Sequence, residues 1–419
     1  MKILFLVESF NINHHSSAIG RSKFIISFLH TDNDVTVLYP DESVPGLKNI
    51  DPIWLDNAKL VRFPLSKITS KEKFINLFPK VRALPTYLKG YHLSFQRLIG
   101  DWKKNINNEL NKEDYDLIIV LGTGMSFAPH FAMADIDTTV PWIANIHDPF
   151  PIQFYPSPYG KKENFMYRNL AKRFNKVLEK ATWTSFPSLR LKEWMEQFYP
   201  VISDKSFIVP HLEVNQKIID MLPINENDKK VQLNLKKLNL LHAGSLLGPR
   251  NPTFLIKAFL RFIEEEPERK EQVVLNIIGK VAREHQGFEN QYKIFKNNIN
   301  IVTDRVSYKY SLSLLKKADV LILLEAISDV SPFMPGKLAD YIWASKPILA
   351  LTPKNSETSR ILGKDYPYIT QTDNEEEIYN LLVVLWEKWK SNSLKAYNNE
   401  LLKSYISSEE NYKKIMEYI

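Results

Sequence analysis

Residues 331–353 read SPFMPGKLADYIWASKPILALTP, and the fold follows from how this stretch divides. Ahead of it, Val320 to Leu324 is a continuous apolar run, the pattern of a strand buried on both faces of a parallel sheet. Met334, Pro335 and Gly336 close a turn that begins at Pro332, and a short helix is predicted from Lys337 to about Ser345. Lys346-Pro347 stops that helix, because the proline ring clashes with the preceding turn. Ile348 to Leu351 is the next strand. The result is a βαβ unit whose helix opens at the carboxyl end of a strand. Free N–H groups and the positive end of the helix dipole suit an anion there. Lys337 stands in the first turn, and Asp340 lies three residues on, near the same face. A cation for phosphate beside an acceptor for hydroxyls is what a sugar nucleotide requires. A packed βαβ unit with an ordinary polar helix face has the same pattern.

The pattern extends outward from this unit. Upstream, Leu238 to His242 is a strand followed by Ala243-Gly244-Ser245 and a loop to Arg250. Asn251-Pro252 then opens a helix, with Asn suited to the cap and Pro to the first helical position. Arg250 has the charge and fork geometry of a phosphate ligand. Val273 to Ile278 is the next strand, ending at Gly279-Lys280, and Ile299 to Val302 follows. Val306 and Tyr308 come at the loop and helix start after it, where a flat base can lie. Ser311 to Lys317 is a helix, an amphipathic helix is predicted for Glu375 to Lys388, and a final helical stretch from Asn392 to Ile419.

The first half repeats this architecture. Ile3 to Val7 is a buried strand, Glu8 to Ser17 a polar loop, and Gly20-Arg21 precede an amphipathic helix. Val35 to Leu38 is the second strand. The glycine fingerprint of dinucleotide folds is missing. Gly20 and Arg21 sit where a loop meets a helix start and can reach an anion; a tight turn with a surface arginine is the plainer reading. Leu117 to Leu121 is a strand ending in Gly122-Thr123-Gly124, and Trp142 to Ile146 one ending in His147-Asp148. Two polar residues just past a strand's carboxyl end lie where open α/β sheets bind ligands. His147 can donate to a hydroxyl or shuttle a proton, and Asp148 can accept from one. The pair His14-His15, in a polar loop, has no partner visible in the sequence. Residues 161–180 read as a long basic helix, and 207–210 as the last strand of this half. From His211 to Lys237 the chain turns polar, the composition of an interdomain linker.

Composition sets the outer limits. The 419 residues contain no cysteine, which excludes disulfides, thiolate metal sites and a cysteine nucleophile. No carboxylate joins the histidines at zinc-ligand spacing, so no metal is expected. The first residues, MKILFLVESF, turn polar too soon for a signal peptide and read as a strand. A cytoplasmic protein is expected, with a peripheral position on the inner face of a membrane left open. From Lys59 to Lys112 bases outnumber acids and interleave with Phe74, Phe78, Tyr87, Tyr91, Phe95 and Trp102. That composition suits an anionic membrane surface, and equally a solvated basic face over a core. Nucleic acid is disfavoured, because no nucleic-acid module motif is present.

Four stretches of the second half carry a resemblance to a known family: HAGSLLGPRNPTFLIKAF, VVLNIIGKV, SYKYSLSLLKKADVLILL and MPGKLADYIWASKPILALTP. In the first half WIANIHDPF adds to it. Together they resemble GT-B glycosyltransferases, nearest to the retaining family 4 of sucrose synthases and bacterial polysaccharide glycosyltransferases. The resemblance implies an α/β fold of two doubly wound Rossmann-like domains facing a central cleft. Residues 1–212 would be the acceptor domain, with a C-terminal helix 405–419 packing back on it, and 213–404 the donor domain. It implies transfer of a hexose-type sugar, with retention, to a glycan or lipid-linked acceptor in surface polysaccharide or glycan biosynthesis. The nucleoside-diphosphate sugar is a co-substrate; no cofactor is implied. Donor-binding residues would be Gly20, Arg21, Gly244, Ser245, Arg250, Gly279, Val306, Met334, Pro335, Gly336, Lys337 and Asp340, with His147 and Asp148 catalytic. The chain departs from the family at Pro332, where members often carry a carboxylate, at Ser345 in place of glycine, and at His147 in place of arginine. Asp329, or the backbone N–H groups of Phe333 to Gly336, would then replace the carboxylate's contact with the sugar. A non-hydrolysing sugar-nucleotide epimerase and an inactive nucleotide- or glycan-binding protein remain alternatives.

Overall fold

The computed structural model describes residues 1–10, 17–29, 31–41, 52–69, 77, 90–124, 126–222, 224, 228, 231–246, 248–395 and 400–419. The chain divides into two compact units, one of residues 1–212 with 407–419 and one of 213–406. Both are doubly wound α/β units built on a parallel sheet.

In the first unit the strands are β1 (Lys2–Val7), β2 (Asp34–Pro40), β3 (Lys59–Phe63), β4 (Leu117–Leu121), β5 (Trp142–Asn145), β6 (Trp183–Phe186) and β7 (Ser206–Ile208). They lie in the order β3-β2-β1-β4-β5-β6-β7, all parallel. The order reverses between β1 and β4, and a crevice forms at such a reversal, outside the carboxyl ends of the strands. β1 and β4 are wholly apolar and buried along their paired length, because helices cover both faces of a parallel sheet. β3 was not expected. Its sequence, KLVRF, carries charges because it is the sheet's edge, where lysine and arginine prevent further pairing.

The described part of the basic region is more deeply built than its composition suggests. The helix Leu93–Leu110 buries Ile99, Trp102 and Ile106. Tyr91 is also buried, and Phe95 packs partly against the same core. Lys59 is ion-paired to Glu113 at 2.7 Å and to Glu109 at 3.6 Å. Tyr91 and Trp102 are thus core aromatics and not a membrane-facing stripe. Phe74, Phe78 and Tyr87, with Lys71, Lys73, Lys80, Arg82 and Lys89, lie outside the described residues.

The second unit contains β8 (Leu238–Ala243), β9 (Val273–Ile278), β10 (Ile299–Val302), β11 (Val320–Leu324), β12 (Val330–Ser331), β13 (Ile348–Leu351), β14 (Asn355–Ser356) and β15 (Ile369–Thr370). Its six-stranded sheet runs β10-β9-β8-β11-β13-β15, and β12 pairs with β14 separately. The reversal here lies between β8 and β11. The helix that follows β12 is Gly336–Ala344, and it ends at Ser345 in a left-handed conformation, φ 55°. A left-handed residue closes many helices, usually a glycine.

The last helical stretch is two helices, Glu400–Ile406 and Ser408–Tyr418. Ser407 separates them, its side chain capping the second through the N–H of Glu410. That second helix belongs to the first unit. Tyr412 packs edge-on against Phe28 at 5.1 Å and its hydroxyl accepts from Asn33 at 2.9 Å. Tyr418 packs at a tilt against Phe207, with centroids at 4.7 Å, and donates to the Ser206 carbonyl. The N–H of Glu213 donates to the Ile406 carbonyl at 2.9 Å, so the two ends of the second unit are tied together.

Candidate functional site

The carboxyl ends of β8 and β11 bring charged side chains together in the second unit. His242 is the fifth residue of β8 and fully buried. Its Nδ1 lies 3.1 Å from the Ile322 carbonyl, and its Nε2 lies 3.4 Å from Lys337 Nζ. A ring that donates from Nδ1 to a carbonyl accepts at Nε2, so Lys337 is the donor. Burial holds the imidazole well below its usual range, and the positive charge of Lys337 adds to this. Gly244 follows β8 with φ 149°, and a Cβ there would meet Lys337 Cε at 2.7 Å. Glycine is what lets the lysine lie across the strand end. Gly279, at the end of β9, packs just as closely against Gly244.

Lys337 occupies the first turn of the helix Gly336–Ala344, which has no side-chain cap. Its one hydrogen-bond contact among the described residues is His242. Burial pushes its ammonium down to about 7, and the Arg250 charge adds to the effect, while Glu325 opposes it. Arg250 is half-buried, and its Nε is buried with no hydrogen-bond partner among the described residues. Two cations thus approach each other at the reversal of the second sheet, and an anion between them would relieve both.

The other residues singled out in this half divide into two groups. Ser245 and Gly336 are exposed at the same strand and helix ends. Met334 and Pro335 are buried in the turn leading to the helix. Asp340 is buried on that helix and accepts the Tyr308 hydroxyl at 2.7 Å, while burial, then Asp340, holds Tyr308 far above the usual phenol range. Val306 is half-buried and packs against the core.

Glu325 closes β11 and escaped the sequence reading. It is buried, and it accepts from Ser331 at 2.5 Å, Thr352 at 2.6 Å and Thr358 at 2.6 Å. These hydroxyls come from β12 and from the segments flanking β14, so one carboxylate ties together the loops beneath the helix start. Pro332 is buried and Asp329 exposed, so the buried carboxylate of this region is Glu325.

In the first unit the helix begins at Ser17, ahead of the expected start, so Gly20 and Arg21 lie within it. Arg21 is fully buried. It donates from Nε and Nη2 to the Ser9 carbonyl at 2.9 and 2.6 Å, and from Nη1 to Ser17 Oγ and the Gly122 carbonyl. The guanidinium thus clamps the ends of β1 and β4, and differs from both the surface arginine and the anion ligand expected. A Cβ on Gly20 would lie 3.9 Å from His211 Nδ1. His211 in turn stacks on His147, with planes 4° apart and centroids at 6.4 Å. The Nε2 of His147 is buried and has no hydrogen-bond partner among the described residues. Burial holds this ring well below its usual range, with smaller contributions from His211, Arg21 and His130.

Asp148 lies beside Gly124, whose Cβ would sit 3.6 Å from its Oδ2. The loop carrying His147 and Asp148 is anchored by Phe150, which packs against Phe127 and Phe174 at 4.6 and 4.8 Å. Glu8 closes β1; it accepts from the Thr123 N–H at 2.9 Å and from the Ser126 hydroxyl. Burial pushes its carboxyl up, against those hydrogen bonds and the Arg21 charge.

Glu8, His242 and Glu325 share one signal, a titratable residue at or near the end of an apolar parallel strand. The same signal singled out His147 and Asp148. His14 and His15 lie outside the described residues. Among the described residues no cluster of three or more His, Asp or Glu is arranged to hold a metal ion.

No protein-family model matches the chain, and no curated protein sequence matches it. Solved structures do. The Anabaena protein HepE, in complex with UDP, is 13% identical with a TM-score of 0.64, over 100% of this chain and 99% of that one. A glycosyltransferase from Rickettsia africae is 14% identical with a TM-score of 0.62, over 100% and 97%. The UDP-GlcNAc 2-epimerase of Neisseria meningitidis, bound to UDP-GlcNAc, is 13% identical with a TM-score of 0.58, over 100% and 99%. The likeness establishes the fold: two Rossmann-like domains of the GT-B type.

Proposed function

We propose that the chain transfers a glycosyl group from a nucleoside-diphosphate sugar to an acceptor hydroxyl. The observation that carries this reading is the meeting of Arg250 and Lys337, one with a buried unpartnered Nε and the other hydrogen-bonded only to an imidazole among the described residues. A diphosphate fits such a pair. As the bond to the sugar breaks, negative charge grows on the leaving diphosphate, and fixed cations that stabilise that charge lower the barrier. The uncapped start of the helix Gly336–Ala344 adds N–H donors on the same side. Two of the similar structures hold UDP or a UDP-sugar, which supports a donor of that class.

In this reading Asp340, oriented by the Tyr308 hydroxyl, accepts from the ribose hydroxyls. Glu325 sets the loop that carries the diphosphate site. A catalytic role for His147 and Asp148 of the first unit is part of the proposal, the neutral His147 as a hydrogen-bonding group or proton acceptor. A hexose donor, retention of configuration and a glycan or lipid-linked acceptor are part of the proposal, as is kinship with family 4. No helix among the described residues is long and apolar enough to cross a membrane.

The test is a thermal-shift panel of UDP-, GDP-, ADP- and dTDP-sugars, because a ligand that binds only the folded chain raises its melting temperature. At least one donor is expected to do so, and to be consumed only when an acceptor is present. No shift with any donor would remove the reading. Consumption or isomerisation of the donor without an acceptor would favour an epimerase.

A further inference from the structure

Lys337 is an unusual phosphate ligand, because its surroundings do not favour a standing positive charge. Its Nζ is pressed against Gly244. The acceptor it reaches is an imidazole whose other nitrogen is committed to the Ile322 carbonyl. A neutral imidazole supports an ammonium far less than a carboxylate would. The groups facing the pair are few. Arg250, on the loop after β8, opposes a second positive charge, and Glu325, closing β11, favours one. Glu325 is already shared among three hydroxyls. On the lysine's own helix, Asp340 is tied to Tyr308, and Tyr341 places its hydroxyl between the Ala243 N–H and the Ile322 carbonyl.

We propose that Lys337, pressed against the strand end with only the neutral imidazole of His242 as acceptor among the described residues, is partly uncharged before a nucleotide binds, that His242 is the positioning residue that sustains what charge it has, and that binding of a nucleoside diphosphate draws a proton from solvent onto Lys337 Nζ. The inference rests on the donor-site reading above and deepens it. No bond of the ligand breaks in this step. One proton moves from buffer to the lysine nitrogen, and the diphosphate supplies the negative charge that keeps it there. His242 stays neutral throughout, because burial and the adjacent lysine both disfavour its charged form. Donor affinity therefore depends on pH within the range where an ordinary lysine would leave it flat.

The experiment is calorimetric titration of the full chain with UDP-glucose, GDP-mannose, ADP-glucose and dTDP-glucose. The tightest of the four is then repeated in buffers of different ionisation enthalpy, which counts protons taken up. Because the lysine lies at about 7, uptake is expected to be about half a proton at pH 7 and about one at pH 8.5. Affinity is expected to fall close to tenfold per pH unit above about pH 7.5. Lys337→Met should abolish the uptake. His242→Phe, which removes the acceptor, should move the midpoint of the pH dependence downward. If His242 were only a packing residue, that variant would lose stability without moving the midpoint.

Binding without proton uptake at pH 8.5 in the unaltered protein overturns the inference and leaves the donor site standing. Binding of none of the four overturns the donor site, and the inference with it. The proton count on the unaltered chain decides the matter even if His242→Phe does not fold.

Discussion

A Cβ placed on Gly279 would lie 2.6 Å from the carbonyl carbon of Gly244, so the ends of β9 and β8 touch backbone to backbone. Both glycines have positive φ, 144° and 149°. Gly279→Ala therefore meets an obstacle that cannot rotate away, and should destabilise the second unit by about 1–3 kcal/mol in urea unfolding. Gly244→Ala meets the flexible end of Lys337 instead. It should lose less stability but displace the lysine, so donor affinity should fall by more than stability predicts. Equal losses in the two variants, with donor affinity intact, would contradict this.

Arg250→Ala and Lys337→Ala each remove one of the two cations assigned to the leaving group. Loss of a preorganised charge of this kind is worth about 2–4 kcal/mol in the transition state. Turnover with the true donor should fall by about 30- to 1000-fold at pH 7. A loss within about threefold for both would remove them from the reaction.

Ser345 ends its helix with φ 55°, a region that L side chains other than asparagine and glycine enter at a cost of about 1–2 kcal/mol. Ser345→Gly should raise the stability of the second unit by about 1 kcal/mol. In a unit of this size that is a rise of about 2–4 °C in melting temperature. The donor site should be unaffected. An unchanged or lower melting temperature would mean that the serine hydroxyl, near the Ile342 and Trp343 carbonyls, compensates for the strain.

Three buried or half-buried imidazoles are held neutral by the fold. Burial takes His130 down to about 3, and holds His147 and His242 well below their usual range. A histidine whose folded pKa is depressed contributes stability fully above its unfolded value, near 6.5, and loses it as pH falls towards the folded one. Each should remove about 1.4 kcal/mol per pH unit below about pH 6. Denaturant midpoints at pH 7, 6 and 5 measure this. His130→Gln should flatten the slope for the first unit if it folds. A flat profile between pH 7 and 5 in the unaltered protein would show that these rings are solvated.

Ile415 is buried in the last helix, and Tyr412 contacts both Phe28 and Asn33. Ile415→Ala should lower the stability of the first unit by about 2–5 kcal/mol. The second unit, probed separately by donor-induced thermal shift, should keep its own transition. Loss of stability confined to the second unit would be inconsistent with where this helix packs.

The fold was largely legible because buried parallel strands announce themselves. Leu117–Leu121, Val320–Leu324 and Ile348–Leu351 are apolar from end to end, Val273–Ile278 and Ile299–Val302 are apolar but for Asn276 and Asn300, and the bounds of all of them in the structure match those read from the sequence. Strands with exposed faces did not announce themselves. Lys59–Phe63 carries Lys59 and Arg62 among its apolar residues at the edge of its sheet, and Ile369–Thr370 is too short for any period to show. The final helix pair was read as continuous because Ser407 caps without glycine or proline to mark the break.

The site was legible where loops follow strands and illegible where side chains choose partners. Gly244, Arg250 and Lys337 stand at strand and helix ends, so their neighbourhood could be read from spacing. Arg21 shows the limit. From the sequence it is a basic residue near a helix start. Only the structure shows its guanidinium spent on the Ser9 and Gly122 carbonyls. His211 was read as the first residue of a linker, yet it stacks on His147. That contact joins residues far apart in sequence, and no local pattern encodes it.

The closing helix Ser408–Tyr418 has a consequence for how the protein is made. A ribosome finishes residues 1–212 long before it reaches residue 407, with the whole second unit in between. At about 5–20 residues per second that interval lasts about 10–40 s. Throughout it the ring of Phe28 and the end of β7 lack the helix that later covers them. The nascent first unit therefore spends its youth with an open apolar seam, which closes only once residues 407–419 have been made.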